Sequence, residues 1–182
     1  MSTVAARPRG LARRHLVTGP DAVTWEVTML QQAGAQAVTG RVDGRLVVTV
    51  GDDTGGLDDT DLDAGAVTRV PCRTDVACLD DGEVVVRSWA APPALLVTPD
   101  DVHLVPETPG PPGSARIACG ERLLVLSAEA YETLPASLVT LLRSLPSRLL
   151  HTDPAVVLET LFAEIPVGSG ALLERRALRS LR

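Results

Sequence analysis

The chain has 182 residues, enough for one domain with a substantial core, and a formal net charge of −6. Hydrophobic residues make up 45% of it, but the aromatics are only two Trp, one Tyr and one Phe, so the core has to be built from Val, Leu and Ala. Its strong bases are all Arg, and the acidic balance excludes nucleic acid as a default partner. Cys72, Cys78 and Cys119 follow no zinc spacing and read as reduced, part-buried thiols of a cytoplasmic protein. The Arg-rich start lacks the apolar stretch of a signal peptide, and no apolar run approaches the roughly 20 residues needed to cross a bilayer.

Residues 1–22 read as a basic N-terminal arm (Arg7, Arg9, Arg13, Arg14) with a short helix over 11–17, stopped by Gly19-Pro20. A single domain over 23–176 follows, and 177–182 is a basic tail. Residues 23–30 alternate Val, Trp, Val, Met against Thr, Glu, Thr, which predicts a strand with one wet face. The runs 35–42 and 45–51 flank Asp43-Gly44, the strongest hairpin signal in the chain. Asp52-Asp53-Thr54-Gly55-Gly56 comes next, then an Asp-rich stretch with Asp58, Asp59, Asp61 and Asp63. About 20 residues without helical periodicity separate Gly56 from the next strand, 74–79.

Asp80-Asp81-Gly82 predicts a second hairpin, joining 74–79 to 83–89. Ala90-Ala91-Pro92-Pro93 leads into a strand at 94–97, and Asp100-Asp101 turns into another at 102–105. Residues 106–113 form a Pro/Gly loop. Leu123 to Leu126 is a continuous apolar run entered by a Gly120-Glu121 turn, which predicts a strand over 122–127 buried on both faces. Apolar residues at 134, 138, 141, 142 and 145 predict a helix over 134–145. Asp153-Pro154 starts another, over 153–165.

The stretch from Gly120 to Glu132 resembles the "GDRLLLYTDGVTE" segment of the PPM-type (PP2C-like) serine/threonine phosphatases, in the bacterial subclass typified by the sporulation stage II protein E (SpoIIE). Asp43 to Gly55 is similar to the same family's "DGRLALVIGDVSGHG", and Ala90 to Val97 to its "AGHPPPLLL". The resemblance covers roughly residues 11–176. It implies an α+β sandwich of two mainly antiparallel β-sheets with helices. The two helices that should follow Gly56 have no room, so one helical layer is reduced or lost.

The family uses Asp ligands to hold two divalent metals, Mn²⁺ or Mg²⁺, that activate a bridging water. Paired dications need several carboxylate oxygens converging on one place. By the resemblance, Asp52 is the one retained ligand. The other positions read Gln36, Ala128 (in the triplet Ser127-Ala128-Glu129) and Ser169, without a carboxylate. This implies a catalytically inactive pseudophosphatase without cofactor, serving as a protein-binding or regulatory module. The alternatives are residual metal-dependent phosphatase activity and a structural oligomerisation subunit. The resemblance further implies, as partners, STAS-domain anti-sigma antagonists or the kinases of partner-switching pathways, with no nucleic acid and no membrane.

The Asp-rich stretch fails the EF-hand pattern, because the sixth and twelfth positions counted from Asp59 are Ala64 and Val70. It reads as a solvated acidic loop. His15, His103 and His151 are scattered and read as surface or structural residues. A sheet stripped of its helices would present an apolar face, and a homodimer or an obligate partner is expected to cover it. Val84 and Val86 are the interface candidates.

Overall fold

The computed structural model describes residues 12–18, 24–51, 72–79, 81–108, 110–134 and 146–176. These residues form two antiparallel sheets. The first has the order β1 (Arg13–Thr18), β2 (Thr24–Gln31), β11 (Ser169–Arg176), β10 (Arg122–Leu126), β7 (Ala94–Val97) and β8 (Val102–Val105). The second runs β3 (Gln36–Val42), β4 (Arg45–Gly51), β5 (Arg73–Cys78), β6 (Glu83–Trp89) and β9 (Gly113–Arg116). The helices are α1 (Ala128–Glu132), α2 (Pro146–His151) and α3 (Pro154–Glu164).

Two cores result. One lies between the sheets and contains Trp25, Val27, Val48, Val76, Val84, Val86, Leu123 and Val125. The other lies between the six-stranded sheet and the helices and contains Leu30, Leu124, Leu126, Leu158, Leu161 and Phe162. Strand β10 is the hinge of both: it pairs with β11 on one side and β7 on the other, and its alternate residues enter the two cores in turn. That explains its unbroken apolar run, since a strand covered on both faces has no polar positions to alternate with. Among the described residues, the main helix–sheet packings fall on the six-stranded sheet. The α+β sandwich with helices on one side is therefore the observed architecture.

Turn chemistry sets the hairpins. Asp43 and Gly44 take φ of 49° and 77°, the left-handed pair that a two-residue hairpin needs. Asp153 caps α3 by accepting a hydrogen bond from the Ala155 N–H at 2.9 Å, and Pro154 fills its first position. Strands β3 to β8, β10 and the helix α3 lie where the sequence places them, within a residue or two. The expected helix over 134–145 falls, beyond Leu134, outside the described residues, as does the Asp-rich stretch 52–71.

Four expectations are corrected. Residues 13–17 belong to the edge strand β1 and not to a helix, because β2 offers an open edge and the pairing runs from Arg13↔Met29 to Thr18↔Thr24. Strand β2 has no wet face: Glu26 and Thr28 are 4% and 0% exposed, since α3 packs over it. Gly113, read as the last residue of the Pro/Gly loop, opens strand β9, which pairs with β6 from Glu83↔Arg116 to Val86↔Gly113. Val84 and Val86 point into the sandwich at 0% exposure and are no interface.

The polar stripe of β2 is neutralised in place. Glu26 lies directly opposite Glu174 of β11, an arrangement of like charges that is unfavourable by itself. Arginines alternate with them. Arg14 Nε lies 2.9 Å from Glu26, Arg176 bridges Glu26 at 2.8 Å and Glu174 at 2.5 Å, and Arg122 Nε donates to Glu174 at 2.7 Å. Arg122 Nη1 also donates to the Leu149 carbonyl and, at 2.6 Å, to the Thr152 carbonyl, which satisfies the end of α2. Arg14 Nη2 reaches both oxygens of Asp153 at 2.7 Å. This ladder joins the edge strand β1, the three strands β2, β11 and β10, the end of α2 and the start of α3.

Candidate functional site

The positions that the resemblance singles out meet at one end of the sandwich. Gln36 opens β3 and pairs with Gly51, the last residue of β4. Leu126 ends β10 opposite Gly170, and Ser169 opens β11. The backbone of Ser127 donates to the Ser169 carbonyl at 2.9 Å, and the Ser169 N–H donates back to Ser127 Oγ at 3.0 Å. Ser169 Oγ donates to the Gln36 carbonyl at 2.8 Å, so one side chain ties the two sheets together.

Both serines are completely buried. Ser127 is also the N-cap of α1. Gly168 sits against this pair with φ +98°, and a Cβ there would lie 2.6 Å from Ser127 Oγ and 2.8 Å from the Ala130 nitrogen. Only glycine fits both the backbone and the space. Gly168 N–H donates to the Ala33 carbonyl at 2.9 Å, and its own carbonyl accepts from the Gln32 N–H at 2.8 Å. The end of the sandwich is thus closed by a neutral network of hydroxyls and peptide groups.

Of the lost-ligand positions, Gln36 and Ser169 are joined by a hydrogen bond. Ala128 stands next to the junction as the first residue of α1 and brings only a methyl group. Asp52 lies outside the described residues. Gly51, which precedes it, passes so close to β5 that a Cβ would meet the Cys72 carbonyl at 2.3 Å. The residues that carry the junction, Ser127 and Gly168, were visible in the sequence only as occupants of motif positions. Nothing in their spacing announced that they bond across 42 residues.

The described residues do not suit a two-metal centre. Their side chains there are two hydroxyls already engaged in hydrogen bonds and one carboxamide, whereas hard dications are held by carboxylate oxygens. Among the described residues no group of three or more His, Cys, Asp or Glu is placed to hold a metal ion. His15 and His103 lie on the opposite edge strands of the six-stranded sheet, five strand spacings or roughly 24 Å apart, too far to share a site. None of the three cysteines is in a disulfide, and burial pushes the Cys78 thiol up to about 12.

The outward face of the five-stranded sheet mixes charged residues with apolar ones such as Val47, Ala77 and Val85. Arg73, Asp75, Arg87 and Trp89 point outward there; Arg73 pairs with Trp89 across the strands and Asp75 with Arg87. Arg73 lies 5.1 Å from the Trp89 ring centroid, with its Nε 3.5 Å from Asp75. Thr49 Oγ1 donates to Asp75 at 2.8 Å. Burial raises the Asp75 carboxyl above its ordinary value, partly offset by Thr49 and by the two arginines.

No protein-family model matches the sequence, and neither does any curated protein. Solved structures do match. The chain is similar to the phosphatase domain of the cell fate determinant SpoIIE from Bacillus subtilis, at TM-score 0.58 and 11% identity, with 94% of this chain and 96% of that one covered. A second SpoIIE structure, with part of the regulatory domain, matches at TM-score 0.56 and 10% identity over 93% of this chain and 70% of that one. PppA, a key regulatory component of T6SS in Pseudomonas aeruginosa, matches at TM-score 0.51 and 13% identity over 93% and 98%. The fold is that of the PPM phosphatase domains. No helix among the described residues is long and apolar enough to cross a membrane.

Proposed function

We propose that this chain is a pseudophosphatase: a PPM-type fold that binds and regulates without hydrolysing phosphoprotein. The observation that carries this reading is the Ser127–Ser169–Gln36 junction. Where the resemblance expects carboxylates around metal, hydroxyls and peptide groups satisfy one another in a buried, neutral network. Ser127, Ser169 and Gln36 would offer two dications no anionic oxygen to offset the loss of their hydration shells.

With chemistry set aside, the fold serves as a surface for other proteins. Partners in the class of STAS-domain anti-sigma antagonists, or the kinases of partner-switching pathways, are suggested by analogy of fold alone. The three thiols suit a reducing, cytoplasmic setting. The reason first given for a homodimer, an apolar face through Val84 or Val86, falls away with their burial.

The test is calorimetric titration of the full chain with Mn²⁺ and with Mg²⁺, alongside hydrolysis of p-nitrophenyl phosphate and of a phosphoserine peptide. No stoichiometric binding and no turnover are expected. Two tight sites, or turnover abolished by Asp52→Ala, would show a residual phosphatase instead.

A further inference from the structure

Strand β1 ends the six-stranded sheet, and its outer edge has no strand partner among the described residues. It also overhangs the sandwich, because the five-stranded sheet ends at β3, which lies against β2 and β11. Arg13, Arg14, His15 and Leu16 are exposed in succession. Leu16, at 67%, is the most exposed large hydrophobic residue among those described. Directly opposed residues of antiparallel strands share a face. Arg13 and His15, opposite Met29 and Val27, thus stand on the inter-sheet side, and Arg14 and Leu16, opposite Thr28 and Glu26, on the helix side.

The strand is anchored, yet part of its charge is left over. Arg14 is engaged by Glu26 at 2.9 Å and by both oxygens of Asp153 at 2.7 Å, which pins β1 to β2 and to the start of α3. Arg13 and His15 make no ion pair among the described residues. Residues 1–20 contain Arg7, Arg9, Arg13 and Arg14 and no Asp or Glu, on a chain of formal charge −6. The other edge of the same sheet, β8, is flanked instead by Asp100, Asp101 and Glu107. An edge strand presents a row of unpaired N–H and C=O groups, and charge is a common guard against self-pairing. Here the guard has one sign. A second copy would bring the same arginines to the seam, whereas a strand of opposite sign meets no repulsion there.

We propose that β1 accepts an extended segment of another protein as an added strand, one whose side chains alternate acidic and apolar. Its acidic side chains meet Arg13 and His15 on one face, and its apolar ones cover Leu16 on the other. The anchoring through Arg14 fixes the template before binding, so little ordering entropy is lost on this side of the contact. The proposal rests on the binding-module reading and deepens it by naming the surface and the chemistry of the partner.

The experiment uses the full chain and a fluorescein-labelled peptide of alternating Glu and Val, read by anisotropy and by amide hydrogen exchange. Saturable binding is expected, weakened by salt and reduced roughly tenfold by Arg13→Glu, which turns an attraction into a repulsion. Exchange across residues 13–18 should slow when the peptide is bound, because strand addition gives the outer amides partners. A peptide N-methylated at every backbone amide keeps the charge but cannot donate to β1, and should not bind. Arg13 is exposed and outside the ladder, so its replacement leaves the fold intact; Arg14 is kept because it holds Glu26 and Asp153. Absence of binding, indifference to Arg13→Glu, equal binding of the N-methylated peptide, or unchanged exchange at 13–18 would overturn the proposal. So would tighter binding of single-stranded DNA, or a dimer without peptide that Leu16→Ser dissolves, which would make a second copy the occupant. None of these failures touches the metal titration, which tests the pseudophosphatase reading separately.

Discussion

Glu174→Gln removes one charge from the middle of the ladder while keeping the side chain's shape. Glu174 and Arg122 are 6% and 7% exposed and lie 2.7 Å apart. After the change Arg122 keeps only the carbonyls of Leu149 and Thr152, and Arg176 keeps only Glu26. A buried cation stripped of its counter-ion costs about 3–5 kcal/mol, the same order as the roughly 4 kcal/mol Coulomb attraction of two unit charges 4 Å apart at an effective dielectric of 20. For a chain of this length each kcal/mol moves Tm by about 2–4 °C, so a fall on the order of 10 °C is expected. Thermal unfolding followed by circular dichroism measures it, and moderate salt should leave the loss unchanged because the pair is out of water. Replacing the pair together, with Arg122→Met and Glu174→Leu, should not restore full stability. The α2 carbonyls would then lose their donor. A Tm within 2 °C of the parent for Glu174→Gln, or full recovery in the double variant, would refute the ladder as a structural tie.

Asp75 has a raised carboxyl value in the fold because burial outweighs Thr49 and the arginines. Its contribution is thus present below its unfolded value and lost as pH rises through the folded one, so Asp75→Asn should flatten that part of a urea-denaturation series between pH 3 and 7 and cost no stability at pH 7. Leu124→Asp, on a strand covered from both sides at 2% exposure, should unfold the domain at a cost on the order of 3–5 kcal/mol; a soluble, cooperatively melting variant would contradict the double burial. Val84→Arg should likewise prevent folding, whereas Val85→Arg on the outward face should be tolerated, and comparable soluble yields for the two would reverse the facing of β6. Thr28 is fully buried with a hydroxyl that lacks a hydrogen-bond partner among the described residues, so Thr28→Val should raise stability by about 1 kcal/mol in chemical denaturation.

Much of the sandwich was legible because its signals are local. Asp43-Gly44 fixes a hairpin through two left-handed residues, Asp153-Pro154 starts a helix, and Leu123 to Leu126 leaves no room for a wet face. What misled was always a partner distant in sequence. Alternation in β2 correctly separates Trp25, Val27 and Met29 from Thr24, Glu26 and Thr28, yet it cannot say that α3, some 130 residues on, covers the polar set. On β6 three consecutive valines hide which parity faces the core, and only the pairing of Val76 with Val86 and of Cys78 with Val84 decides it. Strand β1 carries Arg13, Arg14 and His15 in a row, a composition that propensity assigns to a solvated helix; the open edge of β2 overrides it.

The candidate site shows the same division between local and distant information. The order of motifs brought Gln36, the end of β4, Ser127 and Ser169 to one place, because sheet register alone puts Gln36 beside Gly51 and Leu126 beside Gly170. What the sequence did not show is that the replacements are mutually satisfying. A cluster of carboxylates needs a cation, since two of them 4 Å apart repel by about 4 kcal/mol at an effective dielectric of 20. Hydroxyls need only each other and the peptide groups nearby. The Ser169 carbonyl accepts from the Ser127 N–H and its hydroxyl donates to the Gln36 carbonyl in the other sheet, so neutral groups tie the end of the sandwich together. Charge is not scarce in this protein: it is buried on the opposite side of the six-stranded sheet, where Arg14, Arg122 and Arg176 interleave with Glu26 and Glu174. Glu26, Glu174 and Arg122 are buried together and are answered by the half-exposed Arg14 and Arg176, so among the described residues the charge sits in this ladder and the hydroxyls in the Ser127–Ser169–Gln36 junction.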